Sequence, residues 1–389
     1  MVFFIILGLY CVWTVTKMKE CESRLLHRDG NPYHYMIAFV FTLAFFATFR
    51  LVARGGIGGM DASAYRFMFE HANDSFYQKN VWFLHNDFLF RYFVKGLRCF
   101  FSEYRIYFFI LYGFITLSWM MFIKEFSLKK SNYTPCILVI FIYWLSYSSI
   151  RSTLAFSMFA IALILLYRKK TKWAVLGAVS SIFIHKMAAI FCLFFPFYYI
   201  INHIRLTRLR IILLIAIVII ASSSIQMLFV GLTEGVDLRG SYNFYGSQQI
   251  GVSFWENSWK IAFEQMILGL AMWLSYKRIQ RYKLSLRRKE KDKLQFIWTI
   301  CLFDMMCIPV NSVLGVFRGY EFLYLVRIVM WCTILYLFEK NKSDNMKIII
   351  DIVVTLVLIS WIIFRFWNMW ESGGLMPYIF EPLLYISTS

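Results

Sequence analysis

Twelve apolar stretches alternate with short loops, and the dense Lys/Arg clusters fall on one side of that alternation. No feature restricts the fold more. A bilayer span needs about 20 mostly apolar residues. Within lipid every backbone polar group must be satisfied internally, which leaves helices or closed barrels. The stretches fall near 2–16, 35–50, 106–123, 134–149, 152–167, 173–184, 187–201, 211–225, 259–276, 294–310, 321–338 and 348–364. Their length and continuous apolarity predict helices. Those near 173–184 and 187–201 are short, so one of the two is expected to be tilted or re-entrant. The predicted fold is an all-α polytopic integral membrane protein, a single membrane domain over 1–389 with about twelve spans.

Composition agrees. Hydrophobic residues make up 60% of the 389 and charged residues 16%, against roughly 25% charged in a soluble domain. The formal charge of +19 raises the question of nucleic acid. The placement of the charges answers it. Loops 17–34, 124–133, 168–172, 202–210, 277–293 and 339–347 hold 4, 3, 4, 3, 9 and 3 Lys/Arg, which is 26 of the 41. Short basic loops mark the cytoplasmic side. No nucleic-acid partner is implied, and both termini are expected outside. The first stretch, Met1 to Thr16, has no basic leader and no small-residue cleavage site, so it is expected as a span. The eight Cys residues lie mostly in or beside apolar runs with no C-x-x-C pair, and read as small buried hydrophobes.

Two outward connections are long, 51–105 and 226–258. Long loops in compact proteins usually carry function. The first starts with Gly55-Gly56-Ile57-Gly58-Gly59 and continues through Met60 and Asp61 to Phe69. In a helix starting there, Asp61, Tyr65 and Phe69 share a face. Asp61 then serves as a helix cap, as a functional carboxylate, or as both.

Arg151 lies between two apolar stretches on the side where basic residues are scarce. A charge at that depth is costly and commonly functional. The guanidinium fork suits phosphate or pyrophosphate. An interfacial Arg touching lipid phosphate is the plainer alternative. His185, followed by Lys186, is also on the outer side and is a candidate base or phosphate ligand. A hydrogen-bonded core His is the plainer reading. Arg50 and Arg54 flank the start of the first outer loop. Arg318 and Glu321 lie near the last outer turn. Arg327 is deeper in the next span and needs a partner or an aqueous cavity; Glu321 and Asp304 are the candidate partners, and a structural ion pair between spans is the plainer reading. Arg239 in the second loop is weaker. No Gly-rich phosphate loop and no paired His/Cys metal pattern occur.

Three local elements then carry a resemblance. Gly59-Met60-Asp61-Ala62-Ser63-Ala64-Tyr65 with Phe69 is similar to a G-x-D-x-x-x-Y-x-x-x-F pattern. Ile150-Arg151 with Ala155 is similar to N-x-x-R-Q-x-x-A. Phe183-Ile184-His185-Lys186-Met187-Ala188 is similar to F-H-x-S-A. In this order the chain resembles the EpsG-type and Wzy-type polysaccharide polymerases of bacterial envelopes. Ser148, Ser152 and Met187 replace the Asn, Gln and Ser usual in those patterns. The motifs cover roughly 35–200; beyond that the likeness rests on topology and length.

The resemblance implies a GT-C-like glycosyltransferase in the bacterial inner membrane. Its substrates would be undecaprenyl-pyrophosphate-linked oligosaccharide repeat units on the outer leaflet. No cofactor or metal is implied, since the pyrophosphate linkage holds the energy. Asp61, His185 and Arg151 are the expected catalytic residues. Arg54, Tyr65, Lys186, Arg318, Arg327 and Glu321 are expected to bind substrate. Tyr242 and Trp255 are further residues that could stack on sugars. The bilayer, a chain-length regulator and a flippase are the expected partners. A lipid-linked oligosaccharide flippase, a membrane O-acyltransferase and a structural scaffold are the rival readings.

Overall fold

The computed structural model describes residues 33–52, 58–59, 61–74, 88–126, 146–147, 149–185, 188–203, 265–274, 288–313 and 323–339, with isolated positions within 6–18 and 345–356. Among the described residues the regular structure is helical, as expected. Those elements are α1 (Tyr33–Thr48), α2 (Ala62–Glu70), α3 (Phe88–Phe100), α4 (Tyr104–Phe126), α5 (Ile150–Tyr167), α6 (Thr171–Ile184), α7 (Ala188–Cys192), α8 (Phe194–His203), α9 (Gln265–Leu274), α10 (Arg288–Val313) and α11 (Tyr324–Glu339). Among the described residues α4 and α5 are each long and apolar enough to cross a bilayer, and α1, α6, α9 and parts of α7–α8 and α11 are shorter apolar helices. The expected span 211–225, most of 134–149 and the loop 226–258 lie outside the described residues. The chain divides into two compact units, 1–190 with 338–389, and 191–337.

In the first unit, α1, α4, α5 and α6 build the frame. α5 and α6 are joined by Arg168–Lys170 in a turn that ends α5 without a glycine. The amide of Lys170 donates to Leu165 O and that of Lys169 to Leu166 O, both at 2.9 Å. Lys169 takes the left-handed backbone (φ 59°) that this helix stop requires. The two helices then pack through small residues. Ala162, Ala174 and Ala178 are buried, and a Cβ on Gly177 would sit 3.3 Å from Ala162 Cβ. Small side chains let helix backbones approach where lipid supplies no hydrophobic drive between helices. Exposed Trp173, Leu176 and Phe183 cover the other side of α6.

The directions of the helices follow from their cross-contacts. Trp119 Nε1 donates to Ser157 Oγ at 2.9 Å. Tyr112 meets Tyr147, and Phe126 meets Tyr167, with ring centroids 5.6 and 5.3 Å apart. α4 and α5 are therefore parallel. α1 runs against α4, since Lys124 lies 4.8 Å over the ring of Tyr33 while Arg50 meets Tyr112 at the opposite end. One end of the frame thus collects Lys124, Arg168, Lys169, Lys170 and Lys172, with an Arg168–Glu125 ion pair. The other end carries Arg50, Arg151 and His185. Among the described residues, the basic positions beside 124–126 and 168–172 therefore stand at the end opposite these three side chains. The short helices α2 and α3 pack at the second end.

In the second unit, α10 and α11 are antiparallel. Tyr336 Oη lies 3.5 Å from Glu290 Oε1, and Arg327 reaches Asp304 further along. α8 packs on α10 through Phe194, Phe197 and Tyr198 against Phe296 and Phe303. Gly269 gives α9 its close approach, since a Cβ there would lie 2.2 Å from Met305 Sδ.

Candidate functional site

The geometry at the second end of the first unit starts from Arg50. It follows α1 directly and is 0% exposed. Its Nε donates to Gly58 O at 2.6 Å and its Nη2 to Tyr112 Oη at 2.9 Å. Nη1 donates to Ala47 O, a carbonyl of the last turn of α1. The guanidinium carbon lies 4.2 Å from the centre of the Tyr147 ring and 5.0 and 5.4 Å from those of Tyr112 and Phe108. Hydrogen bonds and ring faces together allow a buried charge. This cation is a tie rather than a phosphate clamp, because it holds the glycine loop against the end of α1.

Gly58 and Gly59 have φ of 81° and 120°. A Cβ on Gly58 would lie 2.1 Å from Leu51 O. Only glycine fits, in conformation and in space. The loop delivers α2 directly. Ala62 N donates to Gly59 O at 3.0 Å and Tyr65 N to Asp61 O at 3.1 Å. Asp61 occupies the N-cap position, yet its side chain makes no capping bond. The half-buried carboxylate is thus not used in the role that offers the plainest explanation for it.

The expected common face of α2 is present. Tyr65 is 5% exposed and meets Phe90 of α3 edge-on, with centroids 6.0 Å apart. Phe69 is stacked on Tyr107 of α4 at 4.9 Å. Arg66 lies 4.2 Å over Tyr104 and pairs with Glu70 at 2.9 Å. Tyr65, expected to stack on sugar, instead has its ring packed as a support for α2.

Arg151 is half-buried in the first turn of α5. Ser149 precedes it as N-cap without a side-chain bond. The hydroxyls of Ser152 and Thr153 both donate to Ser149 O, at 3.1 and 2.8 Å. A helix N-terminus with an Arg on its first turn favours an anion by dipole and by charge.

His185 ends α6. It is 7% exposed and takes an extended backbone. Its amide donates to Ser181 O and its carbonyl accepts from Ala188 N, both at 2.9 Å. The helix therefore breaks at His185 and restarts at Ala188. The Gly177–Ala162 contact gives its height against α5. Eight residues onward from Gly177 is His185, and eight residues back from Ala162 is Leu154. Leu154 is three residues from Arg151, a rise of about 4.5 Å. The hairpin thus brings Arg151 and His185 to the same end within about one helical turn.

Arg327 belongs to the other unit and has a different setting. It is 2% exposed and forks onto Asp304, with Nε to Oδ2 at 2.8 Å and Nη2 to Oδ1 at 2.7 Å. Gln265 Nε2 donates to the same Oδ1 at 2.8 Å and to Asp304 O at 3.2 Å. Of the two partners the sequence offered, Asp304 is engaged, and Glu321 lies outside the described residues. The fork expected to bind substrate is occupied by a carboxylate, so the geometry is that of an interhelical brace. Arg54, Lys186, Glu321, Arg318, Arg239, Tyr242 and Trp255 lie outside the described residues. Among the described residues no group of three or more His, Cys, Asp or Glu could hold a metal ion.

The sequence marks Arg50 at the start of the outer loop but assigns it no role. Its signal was an Arg directly after an apolar run on the side poor in basic residues. Tyr112, Tyr147 and Gln265 gave no signal, since each sits inside an apolar run like its neighbours.

No curated protein and no solved structure matches the chain. The sequence profile of the EpsG family matches residues 33–380, nearly the whole length. The matched region contains the Gly58–Phe69 segment, the start of α5 and the break at His185. The chain is a helical membrane protein belonging to the EpsG family, a Wzy-type polysaccharide polymerase-like family.

Proposed function

We propose that the protein is a GT-C-like glycosyltransferase of the bacterial inner membrane, crossing it about twelve times with both termini outside. In this reading it polymerises undecaprenyl-pyrophosphate-linked oligosaccharide repeat units on the outer face. The observation that carries the proposal is the placement of Arg151, His185 and the uncapped Asp61 at the end of the first unit away from the Lys/Arg-rich turns.

The reaction breaks the bond between the anomeric carbon of the growing chain and its pyrophosphate oxygen. The leaving oxygen keeps the electron pair. The anomeric carbon bonds to a hydroxyl oxygen of the incoming unit, whose proton passes to a base. Asp61 is assigned as that base. Arg151 is assigned to the charge growing on the departing pyrophosphate, which fixed cations stabilise in a water-poor site. His185 donates to a phosphate oxygen, with Lys186, Arg54 and Arg318 as further cations. One undecaprenyl pyrophosphate leaves per turnover.

The test is complementation of a deletion strain, with surface polysaccharide resolved on a gel. Wild type should restore the long ladder, whereas Asp61→Asn and Arg151→Ala should leave a single repeat unit with normal membrane insertion. Loss of even the single-unit product in the deletion would indicate a flippase. An unchanged ladder in the deletion would reject both.

A further inference from the structure

The long outer loop contains a helix that the proposed chemistry does not use. α3 (Phe88–Phe100) is Phe-Leu-Phe-Arg-Tyr-Phe-Val-Lys-Gly-Leu-Arg-Cys-Phe, with three basic residues and no acidic one. Its faces are sharply divided. Phe90 and Val94 are buried against the protein. Arg91, Lys95 and Arg98 lie within about 60° of one another around the axis. Beyond them an arc of about 140° holds Phe88, Tyr92, Phe93 and Phe100, which are 58, 54, 37 and 83% exposed.

The contacts fix how α3 lies. At its start, Phe88 meets Phe183 at the end of α6, with centroids 6.3 Å apart. Near its close, Arg98 lies 5.4 Å over Phe69, whose ring stacks on Tyr107 in the first turn of α4. Phe183 and Tyr107 stand at the same end of the frame. A 13-residue helix reaches about 20 Å, so α3 runs across that end instead of along it. This end is opposite the turns with Lys124 and Arg168–Lys172. Its basic stripe is therefore not part of the loop charge that orients the chain. Among the described residues neither Arg91 nor Lys95 pairs with a carboxylate.

We propose that α3 is an interfacial helix docked on anionic lipid headgroups at the outer surface of the bilayer. The exposed aromatic arc enters the boundary between headgroups and acyl chains, and Arg91 and Lys95 meet lipid phosphates. An amphipathic helix with basic residues beside bulky apolar ones, lying across the bundle end, has the composition and the attitude for this. A net-negative surface is the partner its three positive charges fit. The proposal stands apart from the catalytic reading, since it uses neither Asp61, Arg151 nor His185.

The test is hydrogen–deuterium exchange on the full chain in nanodiscs of phosphatidylcholine, with and without one third phosphatidylglycerol. Each cation near an anionic surface contributes about fivefold in partitioning. Amides of 88–100 in the wild type should exchange at least about fivefold more slowly with phosphatidylglycerol. In Arg91→Gln/Lys95→Gln the two discs should give equal rates, while amides of 150–167 stay unchanged. Both side chains are half-buried and neither belongs to the buried Phe90/Val94 face, so the variant should remain monodisperse. Equal wild-type rates in the two discs would overturn the proposal. So would an undiminished lipid effect in the double variant. Equal slowing by millimolar inorganic phosphate in phosphatidylcholine discs would assign the stripe to a soluble anion and also overturn it.

Discussion

Removing one partner of the Asp304–Arg327 pair should destabilise the second unit, while removing both should restore it. Both side chains are about 2% exposed, and two hydrogen bonds of 2.7 and 2.8 Å join them. Breaking a buried pair on one side costs about 3–5 kcal/mol, because a charge is left without compensation. The two single variants should differ within that range. In Arg327→Met the carboxyl keeps the 2.8 Å bond from Gln265 Nε2, which places the loss near 3 kcal/mol. In Asp304→Leu the guanidinium cannot discharge, so the loss should approach 5 kcal/mol. At roughly 2–4 °C per kcal/mol for a unit of this size, the apparent midpoint should fall by about 10 °C and by more for Asp304→Leu. The double variant, apolar on both sides, should lie within about 1 kcal/mol of wild type. Fluorescence-detected size exclusion after heating gives the midpoints, and the polysaccharide ladder gives activity. A double variant as unstable as the singles would refute the argument. A stable double variant without a ladder would show that Arg327 touches substrate.

Three more outcomes follow from the first unit. Gly58→Ala should cost at least about 2 kcal/mol, from the left-handed backbone and from a Cβ placed 2.1 Å from Leu51 O, and it should shorten the ladder; a normal ladder and midpoint would refute the tight turn. Arg50→Lys keeps the charge but loses the fork that reaches Ala47, Gly58 and Tyr112 together. It should cost about 2 kcal/mol of stability, lower the midpoint accordingly and speed proteolysis near residue 58, and unchanged cleavage would count against the tie. Lys169→Gly should stabilise by about 0.5–1 kcal/mol, the left-handed cost less the added freedom of the unfolded chain, and so raise the midpoint; a fall would contradict the helix-stop geometry.

What could be read from the sequence depended on range. Apolar runs set α4 and α5 to within about three residues of 106–123 and 152–167. α10 starts at Arg288 rather than near 294, because backbone hydrogen bonding continues into residues too charged for lipid. The stretch at 187–201 divides at Leu193 into α7 and α8, with Pro196 in the first turn of α8 where a missing amide costs little. α2 was legible because glycines, Asp61 and the i, i+4 aromatics are all local. α3 falls inside the stretch that reads as the loop 51–105. Its period is helical, but it is too charged to read as a span. The Arg50 tie could not be foreseen, since Tyr112 and Tyr147 lie 62 and 97 positions away.

The three-residue stop between α5 and α6 also bears on how the protein is made. Arg151 and His185 are about 35 residues apart in sequence, and the ribosome delivers that length in a few seconds at about 5–20 residues per second. A helical hairpin of such local contacts closes early and without waiting for distant partners. Asp61 comes from an earlier segment, held by the glycine loop and the Arg50 tie until α4 and Tyr147 follow. The candidate pyrophosphate-binding pair is therefore assembled in a single folding event, and the candidate base joins it through a second one. A defect in the loop can then leave a protein with its anion-binding half intact and its proton acceptor out of place.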